Sequence, residues 1–353
     1  MPVGYPVSKT GVEIKILKQL FDPEEALIAT KMNFIPEESK KIYRRLKRNS
    51  NLSQNDVVSK LKEMDQKGTI MSIKKNHTTL YANMPLVPGM YEYQLGHLTP
   101  ELFKDIQQYL RETYFEEEYN LTGIPQLRTI PVEAAITPDL NVATYDQVRK
   151  IIRNSKGKIA IMDCICRIGH DITNEPCKRT DLRKTCMTFG LSAKTFYERG
   201  QAKYISIDQA LELTKEMEKE GLVPQPSNSQ DPFVICNCCD CCCEILSNQK
   251  KYDEPAKLSA SNYYSKINFE ECTGCGMCTE FCPMDAIELE DNGIIVNFKR
   301  CIGCGLCVSH CPNHAIKLYK KENTVVPPND TLATFKEMMD KKANLAKLKK
   351  GNS

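Results

Sequence analysis

Apolar positions recur at helical spacing through the N-terminal part of the chain. Val12–Leu20 reads as a first helix. Asp22-Pro23 offers a capping side chain and a proline at the start of a second. Residues 37–47 predict a third, with Ile42 and Leu46 on one face. Ser53 caps a fourth, in which Val57, Leu61 and Met64 share a face and which Gly68 ends. Short apolar runs then replace the helical pattern. Residues 70–74 and 79–82 bracket Lys75-Asn76-His77 as two strands and a turn. Residues 84–89, with Pro85 and Pro88, read as a linker, so a first domain is expected over residues 1–88.

A second region is expected over residues 89–250. Thr99-Pro100 opens a helix to about Glu117, and Tyr91, Tyr93, Phe103, Tyr109, Tyr114 and Phe115 fit its core. A turn follows at Thr122-Gly123-Ile124-Pro125. Thr144 and Gln147 predict a capping box for a helix through Ile152. Residues 158–162 form a short buried strand that runs into Cys164-Ile165-Cys166-Arg167, and Cys177 and Cys186 follow. Ser206 and Gln209 cap a helix over about 208–220, ended by Gly221. Val234-Ile235 is a second strand, and it runs into Cys236, Cys238, Cys239, Cys241, Cys242 and Cys243, six cysteines in eight residues. The expectation is a cysteine-rich α/β middle domain.

The third region is marked by ligand spacing rather than periodicity. Cys272, Cys275, Cys278 and Cys282 precede Pro283, and Cys301, Cys304, Cys307 and Cys311 precede Pro312. Both runs read C-x2-C-x2-C-x3-C-P, offset by 29 residues at every cysteine. Three cysteines at i, i+3 and i+6 let a loop wrap three corners of a [4Fe-4S] cubane, and the fourth, turned away by proline, serves the neighbouring cluster. One set is therefore Cys272, Cys275, Cys278 and Cys311, and the other is Cys301, Cys304, Cys307 and Cys282. Gly274, Gly276, Gly303 and Gly305 keep the loops tight. Structural zinc sites are the alternative, but those pair C-x2-C with a distant C-x2-C. Ala286-Ile287 matches Ala315-Ile316 after each run, and Asp291-Asn292-Gly293 signals a hairpin between two apolar segments. Residues 266–269 and 316–319 are the expected outer strands.

Residues 265–320 resemble the bacterial-type two-cluster ferredoxin domain on these motifs. The resemblance implies a pseudo-twofold βαββαβ fold and one-electron transfer at each cluster. The CICR segment at Cys164, the run at Cys236 and the C-terminal repeats also resemble a broader, little-characterised group of ferredoxin-domain proteins from anaerobes, which implies an electron carrier and no established substrate. Beyond Pro327-Pro328, residues 326–353 form a Lys-rich tail whose helix, with Leu332, Phe335, Met338 and Met339, packs on the body or meets a partner. The whole is expected to be an α+β multidomain protein.

Composition narrows the chemistry. Eighteen cysteines in a 353-residue chain without a basic, apolar leader at residues 1–10 point to thiolate–metal chemistry in a reducing cytoplasm rather than to disulfides. No apolar run reaches the length of a membrane span. The net charge of +3 does not by itself imply nucleic acid, but residues 1–90 hold 15 Lys and Arg against 9 Asp and Glu, whereas residues 265–320 hold 5 against 7. The N-terminal helices and hairpin resemble a winged helix-turn-helix. Its reading helix would be 53–67, with Arg44, Arg45, Lys47, Arg48, Lys74 and Lys75 on phosphates. That helix carries no arginine for guanine and mixes Lys60, Lys62 and Lys67 with Asp56, Glu63 and Asp65, so DNA binding is the less favoured reading beside a solvated helix face or a docking or dimer module.

The middle cysteines read as a further metal or thiol site. Residues i and i+2 of a strand point to one side, so Cys164 and Cys166 can act together, with Cys177 and Cys186 completing a set of four. Adjacent cysteines point apart in a strand, which limits the Cys236 run to three or four joint ligands. An iron–sulfur cluster, a structural zinc or a vicinal-thiol relay each fit. Arg167, Lys178, Arg179 and Arg183 are candidates to neutralise thiolates, and His170 is as readily a surface side chain. Electron transfer with a redox protein partner is the leading function. A redox-responsive DNA-binding regulator and a metal- or thiol-dependent reductase are the alternatives. No Walker loop, dinucleotide fingerprint, H-E-x-x-H or nucleophile–base pair is present, so any catalysis rests on metal or thiol.

Overall fold

Reciprocal side-chain caps start two of the N-terminal helices. In a computed structural model of the chain, which describes residues 2–290 and 293–351, α1 (Val12–Leu20) leads to α2 (Pro23–Ala29). There Asp22 accepts from Glu25 N at 2.8 Å, and Glu25 accepts from Asp22 N at 2.9 Å. The third helix is shorter than its pattern predicts. Glu37 and Glu38 form β1 (Glu37–Glu38), paired with Tyr81 and Leu80, and α3 (Ser39–Leu46) begins only after them. Strand pairing satisfies amides that a helix would otherwise use. α4 (Gln54–Lys67) starts on a reciprocal Ser53–Asp56 cap and stops at Gly68. β2 (Met71–Lys75) and β3 (Thr78–Ala82) form the expected hairpin, with left-handed Asn76 and His77 at its turn. Ile28, Ile42, Leu46, Val57, Leu61 and Met64 make the core.

Residues 84–89 do not behave as a linker. Met84, Leu86 and Val87 are buried, and Tyr114 OH donates to Val87 O at 3.2 Å. Apolar side chains between the prolines give this stretch a core contact that a solvated connection lacks. After the turn α5 (Tyr91–Tyr93), α6 (Pro100–Tyr109) runs on from Leu110 in π-type turns. The chain divides into compact units at 1–118 and 119–353.

In the second unit the capping box expected at Thr144 and Gln147 does not form. Thr144–Asp146 is a 3-10 turn, Gln147 Nε2 donates to Val142 O at 2.6 Å, and α7 (Val148–Asn154) starts later. There follow β4 (Ile159–Asp163), α8 (Ile165–Ile172), β5 (Lys184–Phe189), α9 (Gly190–Glu198), β6 (Ala202–Ile205), α10 (Ile207–Lys219), β7 (Val223–Pro226), β8 (Val234–Cys238) and α11 (Glu244–Gln249). The Ser206–Gln209 box of α10 is formed. The strands pair in the order β6-β4-β5-β8-β7, antiparallel throughout. The middle region is therefore not of the α/β type, in which strands run parallel. Apolar runs locate strands but carry no information on their direction. Ile152, Ile161, Met187, Leu222 and Ile235 fill its core.

The C-terminal region runs β9 (Tyr263–Ile267), α12 (Met277–Glu280), β10 (Ile287–Glu290), β11 (Gly293–Val296), α13 (Leu306–Ser309) and β12 (Ile316–Lys320). β9 pairs with β12 and β10 with β11, both antiparallel. The expected turn at Asp291-Asn292 lies outside the described residues. α14 (Thr331–Gly351) meets the body through Met338, which is buried, and through Thr334, which donates to Asn228 O at 2.7 Å, while Leu332 and Met339 stay exposed. Among the described residues no helix is long and apolar enough to cross a membrane.

Candidate metal centres

The two cysteine runs close around two separate cavities. Cys272, Cys275 and Cys278 line one together with Cys311, and its wall includes Ile267, Ile294 and Ile316. Cys301, Cys304 and Cys307 line the other together with Cys282, beside Met284 and Ile287. Both spaces are partly open to solvent. In each case the fourth cysteine comes from the other run, because the chain turns at Pro283 and Pro312 and re-enters beside the partner loop. Four thiols around an apolar-walled space are the donor set of a [4Fe-4S] cluster. Ala286 N donates to Cys282 Sγ at 3.2 Å, and Ser265 Oγ lies 3.3 Å from Cys307 Sγ, contacts of the kind that tune a cluster.

The two cavities differ in surroundings. Cys275 is exposed, whereas Cys301, Cys304 and Cys307 are all buried. Val132 N donates to Cys304 O at 2.9 Å, so the loop before α7 lies directly on the inner loop. Burial pushes the Cys278 thiol up to about 11 and raises Cys304 and Cys307 further, because a thiolate there loses solvation.

A sequence comparison with known families covers the same stretch. A family model described as a 4Fe-4S dicluster domain matches residues 264–312. The C-terminal region is a ferredoxin domain. A protein named "Probable ferredoxin" from Methanosarcina thermophila is 53% identical over 30 residues, 8% of this chain and 52% of that protein. The chain thus spans about half the length of the curated relative it matches. An iron–sulfur electron-transfer role goes with the ferredoxin domain, and the family model does not reach the middle region.

The ten middle cysteines sort into two groups, and not as their order in the chain suggests. Cys177 leaves Cys164, Cys166 and Cys186 and joins Cys239, Cys241 and Cys242, the four sulfurs lying within 4.8 Å of one another. The reason is local. β8 ends at Cys238, and residues 240–242 form a turn, so adjacent Cys241 and Cys242 point the same way with sulfurs 3.7 Å apart. The strand rule that separates neighbours no longer applies there. The Cys177 thiol is pushed far down, first by contact with Cys239 and then by Cys241 and Cys242, while contact with Cys177 pushes Cys242 up. The other six are linked as neighbours: Cys186 and Cys236 sulfurs lie 3.6 Å apart across β5 and β8. Contact with Cys166 lowers Cys164 to about 6, and Cys238 touches both Cys236 and Cys243.

Of the four cations singled out in the sequence, one sits in the thiol region. Arg167, on α8, is fully buried and places its guanidinium 3.3 Å from Cys239 Sγ, also donating to Asn237 O at 3.2 Å and to Thr185. Arg183 is held instead by both oxygens of Asp171, and Lys178 is exposed. Arg179 donates to Glu280 O at 2.8 Å and covers the Phe281 ring at 5.4 Å. His170 is not a surface residue: it is buried, 3.8 Å from Glu244 and from Glu175.

Sequence reading missed the seam between this region and the ferredoxin domain. Phe281 stacks on His310 at 3.6 Å, and His310 Nε2 lies 3.3 Å from Lys219 O at the end of α10. Lys250 joins Asp240, inside the cysteine run, to Asp285 at 3.0 and 2.8 Å. The 29-residue repeat carried a usable signal, since it places a ring residue directly before the fourth cysteine in both runs.

Proposed function

We propose that the ferredoxin domain binds two [4Fe-4S] clusters, one at Cys272, Cys275, Cys278 and Cys311, the other at Cys301, Cys304, Cys307 and Cys282. We further propose that it exchanges electrons with a metal or thiol site in the middle region. The observation that carries this reading is the pair of cavities, each lined by three cysteines of one run and the fourth of the other. When bound, such clusters supply one-electron transfer. The chain's own contribution is placement. It leaves the Cys275 edge open to a redox protein partner and shields the inner loop against residues 132–135. Arg179 then connects the segment after Cys177 to Phe281, the neighbour of Cys282.

The N-terminal elements follow a winged-helix order, and we read this unit as a docking module. Ion pairs within the unit occupy three of the basic residues that a DNA-binding reading would use. Lys60 reaches Asp22 at 3.0 Å, Lys67 reaches Glu25 at 2.6 Å, and Arg45 is held by Glu37.

Anaerobic spectroscopy of single-cysteine variants tests the cluster reading. Cys311→Ser should weaken the signal of the centre that Cys275→Ser also weakens, and Cys282→Ser should track Cys304→Ser. Pairing of Cys311 with Cys304 in this experiment would overturn the crossed assignment. Iron without acid-labile sulfide would overturn the clusters themselves.

A further inference from the structure

We infer that Cys177, Cys239, Cys241 and Cys242 bind a single tetrahedral divalent ion, zinc or mononuclear iron, and not a third cubane. This rests on the middle-site part of the function proposed above and is independent of the C-terminal clusters; iron at this site would take part in that electron exchange, whereas zinc, which has no redox chemistry, would be structural and leave the exchange to the other six middle cysteines. Three observations carry it.

The first is the size of the sulfur set. The sulfur–sulfur separations are 3.6 Å for Cys177–Cys239, 3.7 Å for Cys177–Cys241, 3.5 Å for Cys239–Cys241 and 3.7 Å for Cys241–Cys242. Four thiolates at about 2.3 Å from one ion stand about 3.8 Å apart along the edges of a tetrahedron. These four edges agree with that figure, and the other two lie within 4.8 Å. They are also far longer than a disulfide bond of about 2.05 Å.

The second is an internal comparison. In a cubane each thiolate binds a different iron, so the sulfurs stand apart around a body of eight atoms. The ferredoxin cysteines do this: among the described residues they form no comparably tight group, and each set of four lines an open space between its sulfurs. The middle set closes to sulfur–sulfur contact.

The third is charge. Arg167 is fully buried, and no carboxylate of the described residues pairs with it. Its guanidinium lies 3.3 Å from Cys239 Sγ. Four neutral thiols would offer this buried cation no charge from the group it touches, which is costly in the interior. Four thiolates on a divalent ion carry a net charge of −2, and a buried guanidinium is then the complementary neighbour.

The test uses the full chain, purified without oxygen. Zinc, iron and acid-labile sulfide are measured together. The expected result is about one metal ion per chain in excess of the sulfide-matched iron. Cys177→Ser and Cys241→Ser should each lose that ion and leave the sulfide unchanged. Should either variant fold poorly, the wild-type protein still decides. Where the extra ion is zinc, X-ray absorption at its edge should show sulfur at about 2.3 Å and no neighbouring metal. Where it is iron, iron should exceed sulfide by about one per chain. Sulfide rising with iron to about three cubanes would overturn the inference, as would no metal beyond the sulfide-matched iron. Loss of all sulfide with the single ion retained would sink the C-terminal clusters and support this site.

Discussion

Arg179 crosses from the Cys177 segment to the ferredoxin domain and donates to Glu280 O at 2.8 Å, its guanidinium resting over the neighbouring Phe281 ring. Phe281 precedes Cys282, so one side chain links the flank of the four-sulfur group to the flank of the inner cavity. Arg179→Ala should therefore leave iron, sulfide and zinc contents unchanged and slow electron exchange between the two regions severalfold. Stopped-flow reduction followed by freeze-quench spectroscopy would measure it. An unchanged rate would assign Arg179 to packing alone.

Gly274 and Gly303 occupy equivalent loop positions with the same left-handed backbone, at φ 69° and 66°. Their surroundings differ. A Cβ at Gly274 meets nothing within 4 Å, whereas one at Gly303 would lie 2.2 Å from Tyr263 O. Gly274→Ala should cost about 1–2 kcal/mol from the backbone alone. Gly303→Ala should cost roughly 3 kcal/mol or more, since the backbone of β9 must also move. Anaerobic thermal unfolding of the two variants side by side checks the difference, and equal losses would contradict the close packing.

Glu218 is buried on α10, where its carboxylate accepts from Glu133 N at 2.7 Å. Burial first, and then the charge of Glu133, raise its pKa above the ordinary 4.5. A raised carboxyl favours the protonated folded state, so its contribution is present at low pH and lost as pH rises through the folded value. Glu218→Gln should stabilise the chain at pH 8, and the gain should shrink as pH falls toward 5. Denaturant midpoints across that range provide the measurement; a gain independent of pH would show that Glu218 stays ionised.

Lys60 and Lys67 of α4 are engaged by Asp22 and Glu25. A helix with two of its three lysines paired within its own unit has little left for phosphates. Fluorescence anisotropy with duplex DNA at physiological salt should show no saturable rise, and any weak binding at low salt should fall steeply as salt increases. Tight binding that persisted and depended on sequence would instead assign α4 a reading role.

Sequence and tertiary structure each decided a different part. The twin runs with their prolines stated the ferredoxin chemistry outright, because a [4Fe-4S] cluster demands closely spaced cysteines in a short loop. Local chemistry also fixed the caps at Asp22, Ser53 and Ser206, since a cap joins residues three positions apart. The Thr144–Gln147 box failed although its residues were suitable, because Gln147 found Val142 O instead. Strand direction in the middle sheet, the burial of residues 84–89, and the move of Cys177 to Cys239, Cys241 and Cys242 lay beyond the sequence. Each depends on which distant segment arrives beside which, and spacing along one chain does not encode that. The turn that ends β8 at Cys238 decided which sulfurs meet, and Arg167, reaching in from α8, set the charge they must balance.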